Sequence, residues 1–220
     1  MRLYEFDDTP MIDKDVEDAA FNYFPQRNIA HKTKNPVEMS TQDTELRAKL
    51  SKLGWHYLND GHFSAVFTND KKPFVLKINK SPDKGFEHYA TLIKDFDNVH
   101  FPKISDMKVM NINGRKFYIY LIEKLFALGR DNEIDTSVFF RIIQYPTRSL
   151  EELYPFGAPV PYYLKNNPSL VDALRLVGKY MEGFLNDMGR SNVMQRSDGT
   201  IVITDPYAVF SYGDTNREPE

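Results

Sequence analysis

The sequence predicts an α+β protein built from two lobes, a β-rich front half followed by a mostly helical back half. Short apolar runs separated by turn residues dominate the chain before residue 125, which is typical of strands. Helical spacing of apolar residues returns at 135–145 and 169–185. The length of 220 residues suits one domain made of two lobes.

The composition is that of a globular protein, with 41% hydrophobic and 27% charged residues. The chain has no cysteine, which excludes disulfides, thiolate zinc sites and a cysteine nucleophile. The net charge of −3 gives no overall basic character, so nucleic acid is not an expected partner. No apolar run approaches the roughly 20 residues of a membrane span, and the first residues do not have the pattern of a signal peptide. We expect a cytosolic protein without membrane contact.

The first 45 residues are polar and irregular, and we interpret residues 1–45 as an N-terminal extension packed on the body. Within it, residues 15–24 have apolar side chains at helical spacing, and Pro25 is expected to end that helix. A second helix is predicted over 41–53, with Gly54 just past its end.

Residues 46–122 are predicted to form the β-rich lobe. Two strands flank a glycine turn at 59–61, and residues 74–78 form a third strand. A helix is expected over 83–96, followed by a hairpin whose arms are 103–110 and 117–125.

Residues 123–220 are predicted to form a reduced helical lobe. Helices are expected at 135–145 and 169–185, the second opening with a capping box of Ser169 and Asp172. The proline-rich stretch 146–168 is interpreted as a surface loop. A short hairpin is expected to join 192–194 to 201–203.

Two polar features of the front half suggest phosphate binding. In the turn after Asp60, Gly61 and Ser64 are small enough to let an anion approach backbone N–H groups. Lys77 lies inside an apolar strand, so its ammonium must meet a carboxylate, a ligand anion or solvent. Glu87 on the following helix is a candidate partner, although the helix pattern does not decide which acid meets Lys77.

Two polar features of the back half complete a pattern. Asp187 and Asn192 have the spacing Asp-x4-Asn, and Asp205 follows 13 residues later at the end of a strand. Phosphoryl transfer needs a loop over the phosphates, a lysine on them, a residue that orients the acceptor hydroxyl, and oxygen ligands for Mg²⁺. These features occur here in the order found in protein kinases and related phosphotransferases, which predicts an enzyme that uses ATP and Mg²⁺.

Two blocks of sequence resemble one family. They run from Asp60 to Ile78, with Gly-His-Phe-Ser at 61–64, and from Asp187 to Pro206, with Asn-Val-Met at 192–194 and Ile-Thr-Asp-Pro at 203–206. Both are similar to the early serine/threonine protein kinase of autographiviruses, short-tailed phages that carry their own RNA polymerase. The resemblance covers about residues 50 to 210.

The resemblance implies a two-lobed protein-kinase-like fold with a β-rich N-lobe and a small, truncated helical C-lobe. It implies a kinase made early in infection, acting in the host cell cytoplasm on Ser or Thr of host proteins, with transcription and RNA-processing machinery as the family's targets. Because the chain stops soon after Asp205, we expect the kinase-like domain without the family's C-terminal host-shutoff region.

The resemblance also implies a role for each candidate residue. By this resemblance, the phosphate loop consists of Gly61, His62, Phe63 and Ser64, Lys77 contacts the α- and β-phosphates, and Glu87 is the partner of the lysine. The hinge that faces adenine runs from Glu123 to Leu125. Asp187 orients or deprotonates the acceptor hydroxyl, and the Mg²⁺ ligands are Asn192 and Asp205.

The chain also departs from ordinary kinases. Leu185 stands two residues before Asp187 in place of a histidine, and Asp205 is followed by Pro206-Tyr207 rather than Phe-Gly. Two alternatives therefore stay open: a phosphotransferase acting on a small molecule, and a catalytically inactive kinase-like protein that binds and inhibits a host factor. For the second, the proline- and aromatic-rich stretch 145–163 is the candidate contact surface.

Overall fold

The structure, a computed structural model, describes residues 10–32, 36–129, 134–154 and 159–209, which form two compact units. The sheet unit comprises the described residues of Met1–Asp83 together with Lys103–Lys124. The helical unit comprises the described residues of Lys84–Pro102 and Leu125–Glu220. The protein is therefore a mixed α and β structure with one strand-rich region and several helices. The lobe boundaries derived from the sequence stay a prediction.

The sheet unit consists of two helices and one antiparallel sheet. Its elements are α1 (Lys14–Lys32), α2 (Pro36–Lys52), β1 (His56–Asp60), β2 (Ser64–Thr68), β3 (Phe74–Asn79), β4 (Ile104–Ile112) and β5 (Arg115–Glu123). The strand order is β1-β2-β3-β5-β4, and every neighbouring pair is antiparallel. The strands predicted at 74–78, 103–110 and 117–125 are thus confirmed, with β5 near the centre of the sheet.

One face of this sheet supplies the core of the unit. Alternate strand residues point to the same face, and here they pack with buried side chains of α1 and α2 and with Trp55. The strand residues are Ala65, Phe67, Leu76, Ile78, Phe117, Ile119 and Leu121, and the helical ones include Val16, Ala20, Phe24, Leu46 and Leu50. Helix α1 therefore contributes directly to the hydrophobic core.

Helix α1 corrects one prediction. Pro25 was expected to end the helix, but it lies inside α1, which continues to Lys32. A proline in a helix interior removes one backbone hydrogen bond and disfavours the preceding turn. Here Tyr23 and Phe24 before the proline and Asn28 after it are all buried. Tertiary packing on both sides of Pro25 therefore outweighs its local preference.

Two turns of the sheet unit need positive φ. Gly54, predicted just past the helix end, has φ of +80° after α2, as expected of a C-terminal glycine. Asn113 and Gly114 join β4 to β5 with φ of +52° and +75°. Positive φ at both central residues is the signature of a tight hairpin turn.

The helical unit consists of five helices and two small sheets among the described residues. Its elements are α3 (Lys84–Leu92), β6 (Phe126–Ala127), α4 (Thr136–Gln144), α5 (Leu150–Leu153), α6 (Tyr162–Lys165), α7 (Pro168–Lys179), β7 (Leu185–Asn186), β8 (Val193–Gln195), β9 (Ile201–Ile203) and β10 (Tyr207–Ala208). The sheets have the orders β6-β8-β9 and β7-β10. The short hairpin predicted from the sequence is confirmed as β8 and β9.

Helices α4 and α7 form the core of the helical unit. Both bury an apolar stripe; that of α4 includes Phe139, Ile142 and Ile143. Gly178 lies so close to the carbonyl oxygen of Ile143 that a Cβ atom there would overlap with the backbone of α4. The glycine is thus required by the close approach of two helices.

The start and end of α7 differ from the prediction. The N-cap is Asn167, whose side chain accepts a hydrogen bond from the backbone N–H of Leu170, so the predicted capping box at Ser169 is wrong. Asn167 caps more effectively because Pro168 then occupies the first helical turn, where its missing N–H costs nothing. The helix ends at Lys179 rather than 185. The predicted loop 146–168 contains α5 and α6, and its residues 155–158 lie outside the described residues.

Candidate active site

The helical unit brings Asp187 and Asn192 into direct contact. The side-chain Nδ2 of Asn192 donates to the carbonyl oxygen of Asp187 at 2.6 Å and to its carboxylate Oδ2 at 3.1 Å. Between them, residues 190–192 form a single 3-10 turn. The Asp-x4-Asn spacing therefore closes a compact loop with the asparagine amide against the aspartate.

Backbone hydrogen bonds place the segment containing Asp205 beside this loop. The N–H of Thr204 donates to the carbonyl oxygen of Asn192 at 2.9 Å, and the N–H of Asp187 donates to that of Pro206 at 2.9 Å. The residues on both sides of Asp205 are thus bonded to Asn192, a predicted Mg²⁺ ligand, and to Asp187, a predicted catalytic residue. Asp187 is exposed, and Asp205 is half-buried.

Helix α3 holds the strand that leads to Asp205. The hydroxyl of Tyr89 donates to the carbonyl oxygen of Ile203 at 2.6 Å. Burial raises the pKa of Tyr89 well above its ordinary value, and the charges of Tyr207 and Asp205 raise it further. The Tyr89 hydroxyl therefore stays neutral and donates its hydrogen bond, and it interacts electrostatically with the carboxylate of Asp205.

A second set of bonds anchors the β8–β9 hairpin. His100 is buried, with Nδ1 at 2.6 Å from the carbonyl oxygen of Ile201 and Nε2 at 3.1 Å from Oδ1 of Asn167. Arg196 donates to the carbonyl oxygens of Val99 and Phe101. The segment 99–101 thus ties the hairpin to the start of α7.

In the sheet unit, the turn 61–64 is held by backbone bonds. The N–H of Gly61 donates to the carbonyl oxygen of Ser64 at 2.8 Å, and the N–H of Lys80 donates to that of Phe63 at 2.7 Å. The ring of His62 meets the ring of Phe63 edge to face. Gly61 and His62 are exposed, so this part of the turn is open to a ligand.

Lys77 lies in the middle of the sheet and is buried. Its cross-strand neighbours are Val66 on β2 and Tyr120 on β5, so its side chain points to the face opposite the hydrophobic core. Its Nζ atom lies 3.6 Å from Oδ2 of Asp83, which is also buried. The sequence analysis proposed Glu87 as the partner of Lys77; Glu87 lies in the first turn of α3, in the helical unit.

The same face of the sheet carries further polar and aromatic groups. The rings of Tyr118 and Tyr120 stack with centroids 5.4 Å apart. Asn79 is fully buried, accepts a hydrogen bond from the N–H of Tyr118, and has its Nδ2 atom without a hydrogen-bond partner. This face therefore differs from the wholly apolar core face.

The predicted hinge lies where the two units meet in sequence. Glu123 ends β5, and its carboxylate accepts from the N–H of Lys103 at 2.8 Å. Leu125 is half-buried and belongs to the helical unit.

The donor set at Asn192 and Asp205 suits Mg²⁺ better than a transition metal. Mg²⁺ binds through one or two protein carboxylates and completes its shell with water and phosphate oxygens. Among the described residues, no group of three or more His, Cys, Asp or Glu side chains could hold a metal ion. A carboxylate and an amide oxygen are ligands of the kind that Mg²⁺ prefers. No helix of the described ranges is long and apolar enough to cross a bilayer.

Two structurally important residues, Asp83 and His100, were not predicted from the sequence. Asp83 could have been found, because it closes a connection of only a few residues after β3, so it must lie near the end of that strand. His100 had no usable signal, since its contacts come from residues distant in sequence.

Comparison with known proteins gives little further evidence. No family model matches the chain, and no curated protein matches it. Among solved structures, the chain is similar to the Cydia pomonella granulovirus kinase PK-1, with 16% identity and a TM-score of 0.34. The match covers 74% of this chain and 57% of the viral kinase, so the chain spans little more than half of that protein.

Proposed function

We propose that the protein is an ATP- and Mg²⁺-dependent phosphotransferase, a serine/threonine protein kinase that modifies host proteins. The observation that carries this proposal is the cluster in the helical unit. Asn192 bonds to Asp187, and backbone bonds from Thr204 and to Pro206 bring the segment containing Asp205 against both residues. Hydrogen bonds within one small region thus bring together two of the proposed site residues and the segment that carries the third.

Asp187 has the features of a group that orients or deprotonates an acceptor hydroxyl. It is exposed, as contact with a macromolecular acceptor requires. The Nδ2–Oδ2 bond from Asn192 fixes one carboxylate oxygen, which leaves Oδ1 to accept the hydroxyl proton. A general base must lie within hydrogen-bond distance of the proton that it takes. Because one oxygen of the Asp187 carboxylate is held by Asn192, the other oxygen keeps a defined position for this role.

Asn192 and Asp205 are the residues that would hold Mg²⁺. With Nδ2 of Asn192 bonded to Asp187, its Oδ1 atom is the one left to face an ion. A Mg²⁺ ion held there would supply positive charge against the phosphates of the nucleotide. The chain's own contribution is to keep a carboxylate and an amide oxygen in place before the ion arrives.

Lys77 and the turn 61–64 would bind the phosphates of ATP. Lys77 has a buried ammonium on the polar face of the sheet, where an anionic ligand would be partly shielded from water. Gly61 and His62 of the turn are exposed, so an anion could approach the backbone there. His62 and Phe63 would cover the phosphates from the outside.

The class of acceptor rests on the family resemblance of the two sequence blocks. That resemblance favours Ser or Thr of host proteins as acceptors. It also favours a kinase that is made early in phage infection and acts in the host cytoplasm. The exposed position of Asp187 is compatible with a protein acceptor. It is also compatible with a small molecule, which stays the second candidate.

The two acceptors can be separated with labelled ATP and Mg²⁺. Purified protein is incubated with host lysate proteins freed of small molecules, and separately with the small-molecule fraction of the same lysate. We expect label on Ser or Thr of lysate proteins. Label only in the small-molecule fraction would establish the second candidate, and label in neither fraction, with ATP bound, would favour an inactive binding protein.

A further inference from the structure

The connection between β3 and α3 carries the inference, and it spans only Lys80 to Asp83. It begins directly after Asn79, the last residue of β3, and ends directly before α3. Pro82 lies within it and fixes its own φ near −65°. Because this segment is short and contains a proline, groups on it are held more firmly than groups on a long loop.

The first half of this segment holds the phosphate-binding turn. The backbone N–H groups of Lys80 and Ser81 both donate to the carbonyl oxygen of Phe63, at 2.7 and 3.3 Å. The ammonium of Lys80 lies 3.4 Å from Oδ1 of Asp60, the residue before Gly61. The turn is thus fixed at its start by an ion pair and at its tip by two backbone bonds.

The end of the segment holds Lys77. Oδ2 of Asp83 lies 3.6 Å from Nζ of Lys77, and only 7% and 10% of the two side chains are exposed. A buried charge without a partner is strongly unfavourable, so removing one member of such a pair leaves the other free to seek a new position. Asp83 and Lys77 both belong to the sheet unit, so this pair does not depend on α3.

We propose that Asp83 is the positioning residue of Lys77, and that the segment 80–83 holds the turn and the lysine together before nucleotide binds. This inference rests on the proposed function for the role of Lys77, and it adds that the lysine and the turn 61–64 are placed within the sheet unit before nucleotide binds.

The first test measures Lys77 without any nucleotide. Ligand-free protein is treated with an amine-directed acylating reagent, and the rate of modification of Lys77 is followed by mass spectrometry. In Asp83→Asn we expect Lys77 to be modified several times faster, because its ammonium is released from the carboxylate. The matched control is Asp13→Asn, which removes the carboxylate of an exposed pair with Lys72 at 2.8 Å and should leave the rate at Lys77 unchanged.

The second test measures phosphoryl transfer in the same variants. A misplacement of about 1 Å costs up to roughly a hundredfold in rate, so we expect Asp83→Asn to lower kcat by about ten- to a hundredfold with a smaller change in KM for ATP. A purely structural role would instead lower the amount of folded protein and leave kcat per folded molecule unchanged. Glu87→Gln should have a smaller effect on kcat than Asp83→Asn.

The outcomes separate the inference from the proposed function. Wild-type labelling and kcat in Asp83→Asn would overturn the inference, as would a large loss in Glu87→Gln alone. If Asp83→Asn does not fold, Asp83→Glu keeps the charge but moves it by one methylene; a severalfold loss of kcat supports positioning, and an unchanged kcat overturns it. If wild-type protein transfers no phosphate while Asp83→Asn still exposes Lys77, the proposed function fails and the ion pair stands.

Discussion

The two units hold their candidate residues in different ways. In the sheet unit, Lys77 lies on a six-residue strand paired on both sides, and its direction follows from strand register. In the helical unit, Asp187, Asn192 and Asp205 lie on turns beside strands of two or three residues. In the helical unit, single hydrogen bonds between loops take the place of the continuous strand pairing that surrounds Lys77.

This difference suggests that the two units contribute to function in different ways. A buried lysine on a rigid sheet is suited to hold a ligand in one position, because many neighbours fix it. The exposed carboxylate of Asp187, on a turn fixed by hydrogen bonds, is suited to meet an acceptor, since it combines access with defined geometry. Substitutions of Asp187, Asn192 or Asp205 should therefore affect chemistry without unfolding the protein, and substitutions in the sheet core should affect stability first.

The largest expected effect is on chemistry in the helical unit. We expect Asp205→Asn to lower phosphoryl transfer by about a thousandfold or more, because loss of a Mg²⁺ ligand removes several kcal/mol of transition-state stabilisation. The measurement is the transfer rate at increasing Mg²⁺ concentration. Asp172→Asn, an exposed carboxylate on α7, is the matched control and should react as wild type. Equal transfer rates in both variants would show that Asp205 is not part of the site.

The next effect is on the stability of the sheet unit. Phe24 is fully buried and packs on Phe117, with ring centroids 5.4 Å apart. We expect Phe24→Ala to lower the free energy of unfolding by about 3–5 kcal/mol, the usual cost of emptying a core aromatic position. Trp55, the single tryptophan, is buried in the same core, so its fluorescence during urea unfolding reports on this unit.

The half-buried Phe21 provides the control for this prediction. Phe21→Ala should cost clearly less than Phe24→Ala. If both variants unfold like wild type, the first 45 residues are not part of the core.

A smaller effect is expected where α7 meets α4. A Cβ at Gly178 would overlap with the carbonyl oxygen of Ile143, so Gly178→Ala should destabilise the helical unit by about 1–3 kcal/mol through forced displacement of the helices. Helix propensity alone predicts the opposite sign, a gain of up to about 1 kcal/mol. Hydrogen exchange of α7 amides measures the change. Gly129→Ala, where a Cβ meets no atom within 4 Å, should be neutral.

The smallest effect is a loss of stability at alkaline pH. Burial raises the pKa of Tyr207 above its ordinary value, so the folded protein keeps a proton that the unfolded chain releases above about pH 10. The stability due to this group is therefore complete below pH 10 and is lost as the pH rises beyond it, by at most about 1.4 kcal/mol per pH unit. In Tyr207→Phe, the free energy of unfolding should decline less steeply than in wild type between about pH 9 and 11, the range around the ordinary tyrosine pKa.

Tyr162→Phe is the control for the alkaline prediction, because Tyr162 is 82% exposed. It should decline as steeply as wild type. A flattening in Tyr162→Phe but not in Tyr207→Phe would contradict the assignment.

Much of the fold could be predicted because local patterns decide it. The strand around Lys77, the glycine turns and the β8–β9 hairpin follow from apolar alternation and turn residues. The closeness of Asp187 and Asn192 follows from their spacing in one short loop. Their contact with the segment around Asp205 was implied by the kinase-like order of motifs rather than by any local pattern.

The rest depends on contacts between distant residues. Pro25 lies inside α1 because both flanking turns are buried, which no local rule indicates. The cap of α7 at Asn167 is also bonded by His100, 67 residues away. The pairing of Lys77 with Asp83 depends on how the segment 80–83 turns back along β3, so sequence alone left the lysine's partner open.

The central claim is that Asp187 acts in phosphoryl transfer, and one measurement tests it most directly. Wild-type protein and Asp187→Ala are incubated with γ-labelled ATP, Mg²⁺ and host lysate, and labelled proteins are identified by gel and mass spectrometry. We expect label on lysate proteins with wild type and almost none with Asp187→Ala, at equal unfolding midpoints. Equal labelling by a folded Asp187→Ala protein would contradict it.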